Sequence, residues 1–64
     1  MSAVIFTKQR GHWKFYAFMS SDEMLRGELQ HLKDQDVEAI SQPVQRFDID
    51  QIRELESTLN ETAK

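Results

Sequence analysis

Asp48 and Asp50 are the residues of this 64-residue chain whose type and spacing best suit acid-base work, since neighbouring carboxylates can split their pKa values and divide the roles of acid and base. The same two residues stand where a helix should begin. An aspartate there accepts free backbone amides and complements the helix dipole, so capping accounts for both without chemistry. His12 and His31 have no ligand-spaced neighbour, whereas a zinc ion needs about four ligands, or three and a water. Asp34-Gln35-Asp36-Val37-Glu38 has the alternating acids of a calcium loop, but Ala39 occupies the glycine position and Gln45 that of the bidentate glutamate. Ser20, Ser21, Ser41 and Ser57 show no nucleophile-base order, there is no cysteine, and no glycine-rich phosphate cradle is present. No catalytic residue, metal ligand or cofactor is therefore assigned. The chain is read as non-enzymatic, and a core this small rarely encloses a deep pocket.

The constellation that remains is basic and aromatic. The first nineteen residues contain no Asp or Glu but hold Lys8, Arg10, Lys14, His12 and five of the six aromatic side chains. That segment carries +3 and the rest of the chain −6, which predicts a surface with two electrostatic characters, a feature of binding more than of catalysis. Lys14-Phe15-Tyr16-Ala17-Phe18-Met19 resembles the Lys-Gly-Tyr-Ala-Phe-Val strand of RNA-recognition motifs, in which alternate aromatics stack on bases. It departs from that pattern at Phe15, which replaces a glycine, and at Ser21, which replaces an aromatic. Too little chain precedes the strand for that domain, and membership is not assigned.

The elements that must position these residues follow from patterning. Residues 3–9 and 12–19 are rich in β-branched and aromatic types around Arg10-Gly11, which predicts a hairpin in which Gly11 takes a positive φ. An uninterrupted register pairs Gln9 with His12, Lys8 with Trp13, Thr7 with Lys14, Phe6 with Phe15, Ile5 with Tyr16, Val4 with Ala17 and Ala3 with Phe18. One face then holds Val4, Phe6, Trp13, Phe15, Ala17 and Met19. The other holds Ile5, Tyr16 and Phe18 at its open end.

Ser20 and Glu23 form a candidate capping box, and Met24, Leu25, Leu29 and Leu32 form the apolar stripe of a helix over about 21–34, interrupted by Gly27. Residues 37–47 contain a strand or extended segment that Pro43 confines to a sheet edge or breaks. Ile49, Ile52, Leu55 and Leu59 mark a second helix over about 49–61. The expected fold is α+β, one domain over 1–64 in the order ββαβα. It is a small two-layer arrangement with both helices mainly on the Trp13 face, which leaves Ile5, Tyr16 and Phe18 as an exposed apolar patch.

At 39% hydrophobic and 30% charged, with two glycines and one proline, the composition is that of a globular chain and not a disordered one. No apolar run approaches a membrane span, and the first residues lack a basic region and a long apolar stretch, so the expectation is a cytoplasmic protein without membrane association. The expected function is a small regulatory or adaptor module that binds a protein partner or its own copy through Lys8, Arg10, Lys14, Ile5, Tyr16 and Phe18. A nucleic-acid binder using the same hairpin is the alternative, against which the acidic pI near 5.2 weighs. Inhibition of a nucleic-acid enzyme by the acidic helices is a third reading.

Overall fold

The computed structural model describes residues 1–62. Strands β1 (Ser2–Gln9) and β2 (His12–Met19) form the hairpin, followed by helix α1 (Asp22–Asp34), strand β3 (Ala39–Val44) and helix α2 (Ile49–Thr62). The sheet is antiparallel in the order β2-β1-β3. The α+β class and the ββαβα order are those the patterning predicts.

Near the turn, the hairpin register runs as expected from Gln9/His12 to Phe6/Phe15. It then shifts: Ile5 lies opposite Ala17, and Val4 opposite Phe18, which makes Tyr16 the extra residue of a β-bulge. A one-residue slip moves every later side chain to the other face. Phe18 therefore joins Val4 on the core side, while Ala17 and Met19 pair with Ile5 and Ala3.

Burial along β1 shows how the sheet is covered. Val4, Phe6, Trp13, Val44 and Ile52 form one buried cluster, with Phe18, Leu55 and Leu59 packed against it, so α2 lies on that face. Ala3, Ile5 and Thr7 point the other way and are as deeply buried, so residues 3–7 of β1 are covered on both sides. Helix α1 touches β2 and β3, and its buried Leu32 shares a groove with Thr7 and Tyr16 on that second face. One helix on each face replaces the one-sided cover expected from the uninterrupted register, and the Ile5/Tyr16/Phe18 patch does not form.

Local chemistry sets the helix ends. Ser21, not Ser20, caps α1: its Oγ accepts the Met24 amide at 3.2 Å, one residue later than the capping box predicts. At the other end Asp36 takes φ 61°, and the amides of Asp36 and Val37 donate to the carbonyls of Lys33 and Leu32, the paired bonds of a Schellman turn. Asp48 caps α2 as expected, its Oδ1 accepting the Asp50 and Gln51 amides at 3.0 and 3.3 Å. An alanine side chain at Gly27 would meet open space, so that glycine does not mark a close approach of backbones. The segment from 37 to 47 resolves into a single strand with Pro43 on the sheet edge, the position its missing N–H permits.

Candidate functional site

The hairpin tip is built from a two-residue turn in which Arg10 and Gly11 have φ 53° and 83°. Both positive values identify a turn whose twist matches that of the strands, and which favours Asn or Gly at its first position. An arginine there is held in the left-handed region at a conformational cost, a feature that sequence reading assigned to Gly11 alone. Lys8, Arg10 and Lys14 are all exposed. Lys8 and Lys14 project from opposite faces of the hairpin, being partners of Trp13 and Thr7 respectively, so the three cations wrap the finger and do not form a flat patch.

The finger is braced from a distant part of the chain. Asn60 of α2 accepts the Trp13 amide on Oδ1 at 2.8 Å and donates from Nδ2 to the Trp13 carbonyl at 3.1 Å, pairing with β2 as a neighbouring strand would. One turn earlier on α2, Glu56 Oε2 accepts the Phe15 amide at 2.8 Å. The Trp13 ring, 9% exposed, lies under Lys8, whose Nζ stands 5.7 Å from its centroid. Asn60 and Glu56 were missed in the sequence. Their available signal is position: they lie four residues apart, each one residue past a leucine of the α2 stripe, on the flank of its apolar face.

The remaining residues expected at the interface fall elsewhere. Ile5 has no exposed surface, because α1 covers it. Phe18 is half-buried and meets Phe47 edge-on with ring centroids 5.7 Å apart. Tyr16 is 42% exposed, but its hydroxyl donates to Glu28 Oε2 of α1 at 2.8 Å. That hydrogen bond, followed by desolvation and the carboxylate charge, raises the Tyr16 pKa above its ordinary 10.0. Met24, Phe47 and Ile49 are the other large exposed apolar side chains beyond Met1; the α2 stripe thus begins in the core at Ile52 and not at Ile49.

Among the described residues, no three His, Cys, Asp or Glu side chains gather into a cluster that could hold a metal ion. His12 and His31 are both exposed. The lining of the groove beside the finger includes Thr7, Lys8, Tyr16, Asp36 and Glu38. No helix is long and apolar enough to cross a membrane. No family model, curated protein or solved structure matches this chain.

Proposed function

We propose that this chain is a small non-enzymatic regulatory or adaptor module of the cytoplasm that docks on an acidic surface of a partner protein through its hairpin tip. Lys8, Arg10 and Lys14 supply the charge, and the exposed edge of Tyr16 lies at the flank. The carrying observation is the bracing of a strained, cationic turn. Arg10 stays in the left-handed region at the end of a finger whose backbone Asn60 fixes from α2. A pre-ordered element loses less entropy on binding, and exposed cations speed the encounter with an acidic partner.

Helix cover of both sheet faces argues against base stacking. Trp13 is buried under Lys8, and Phe15 packs edge-on against Phe6 at 6.3 Å, so neither ring offers the open platform that single-stranded nucleic acids use.

The reading is tested by amide chemical-shift mapping with a poly-glutamate peptide and with single- and double-stranded oligonucleotides, at low and at physiological salt. The expected result is that the peptide shifts the amides of residues 8–14. The double variant Arg10→Glu/Lys14→Glu should weaken that binding by at least about tenfold while leaving the fold intact. Tighter binding of either oligonucleotide at the same amides would establish the nucleic-acid reading instead, and an unresponsive tip with all three probes would remove the finger as a contact element.

A further inference from the structure

The two edges of the sheet are finished differently. On β2, Asn60 occupies the outward amide and carbonyl of Trp13, and Glu56 the amide of Phe15. On β3, the ladder itself shows which groups are left. The Lys8 amide donates to the Glu38 carbonyl at 2.9 Å, and the pairing continues through Phe6/Ile40 and Val4/Gln42. In an antiparallel ladder the residues between these bonded pairs turn their N–H and C=O groups away, so Ala39 and Ser41 present both outward and Pro43 its carbonyl alone. Among the described residues no side chain reaches the outward groups of Ala39 or Ser41. A bare strand edge is a template for another strand.

We infer that β3 pairs antiparallel with β3 of a second copy of this chain, making a continuous six-stranded sheet. This inference does not rest on the function proposed for the hairpin tip. Three features select the occupant. Because α2 side chains occupy the β2 edge at Trp13 and Phe15, β3 of another copy cannot add there head to tail, and pairing of like edges closes as a two-fold dimer without propagating.

Charge favours the antiparallel sense. Asp36 and Glu38 precede the strand and Arg46 follows it, so the acidic start of one copy lies beside the basic end of the other, whereas a parallel pair would set like against like. Lys33 shares a groove with Asp36 and Glu38 but makes no ion pair with them among the described residues.

Pro43 selects the register. A two-fold axis at Ser41 would oppose each Ala39 carbonyl to a proline nitrogen that cannot donate. An axis at Ile40 uses both outward groups of Ala39 and of Ser41 on each copy, and it sets the half-buried Ile40 side chains against each other on the α2 face. An edge contact of this size makes a weak, concentration-dependent dimer.

The test is sedimentation equilibrium of the full chain across a wide concentration range, with amide hydrogen exchange in parallel. The apparent mass should rise from 7.5 kDa toward twice that value, and the Ala39 and Ser41 amides should become more protected as concentration rises. Chemical synthesis with an N-methyl group on Ser41 removes one outward donor without touching the β1 ladder, and it should weaken association at least about tenfold. A chain that stays monomeric at the highest concentration, or a dimer indifferent to N-methylation at Ser41, would overturn the inference.

Discussion

On its α2 side the sheet presents Val4, Phe6, Trp13 and Phe18 to the stripe of Ile52, Leu55 and Leu59, and α2 also bonds to the backbone of β2 through Glu56 and Asn60. On its α1 side it presents Ala3, Ile5 and Thr7 beneath a helix whose buried apolar side chain is Leu32, and helix and sheet are linked by the Tyr16–Glu28 hydrogen bond at the surface. Both sides exclude water from β1. They differ in how that exclusion is secured: the α2 side has large rings and fixed backbone bonds, and the α1 side has smaller side chains and one exposed polar contact. The hairpin finger is thus a rigid extension of the α2 side, and α1 is the more weakly attached cover.

The largest expected effects come from emptying each side in turn. Phe6→Ala removes a fully buried ring that packs edge-on against Phe15, and should cost about 3–5 kcal/mol, a large share of the stability of so small a domain. Ile5→Ala should cost about 2–5 kcal/mol and fall below the Phe6 value, since a smaller side chain is lost. Urea midpoints at constant m-value measure both. If Ile5→Ala changed stability by less than about 0.5 kcal/mol, as a surface substitution does, α1 would not cover that face.

A smaller effect isolates the backbone fastening. Asn60→Ala leaves the amide and carbonyl of Trp13 without their partner at a half-buried edge, and should cost about 1–3 kcal/mol. The tryptophan, the only one in the chain, reports the change by fluorescence. Asn60→Asp keeps the acceptor for the Trp13 amide and loses the donor, so it should fall between wild type and alanine. Wild-type stability in Asn60→Ala would mean that the apolar stripe alone holds α2 and that the finger is not braced.

This contrast was only partly legible in the sequence. Element order, the Asp48 cap and the edge position of Pro43 follow from local rules, because periodicity, capping and the missing proline amide act within a few residues. The bulge at Tyr16 has no comparable signature. Phe15, Tyr16, Ala17 and Phe18 alternate poorly, and which of them is the extra residue is decided by what packs on each face. From that one unread residue came the misassignment of Phe18, whereas the expected exposure of Ile5 came from placing both helices on the Trp13 face, as one-sided cover of an antiparallel sheet suggests. The finger was found because charge is additive along the chain. Its brace was not, because Trp13 and Asn60 lie 47 residues apart and meet only when α2 crosses the sheet.

The smallest expected effect belongs to the α1 side. The hydrogen bond from Tyr16 to Glu28 favours the neutral phenol, so the folded chain holds that proton above pH 10.0 while the unfolded chain releases it near its ordinary value. The native state then binds more protons in that window, and its stability falls as pH rises through it. The contribution is fully present below pH 10.0 and lost above the raised folded pKa. Since the chain has a single tyrosine, tyrosinate absorbance follows this group alone. Glu28→Ala should move the titration down toward 10.0 and leave the urea midpoint at neutral pH nearly unchanged, because the pair is exposed. A loss comparable to that of Asn60→Ala would show that Glu28 fastens α1 as firmly as Asn60 fastens α2, and the difference between the two sides would disappear.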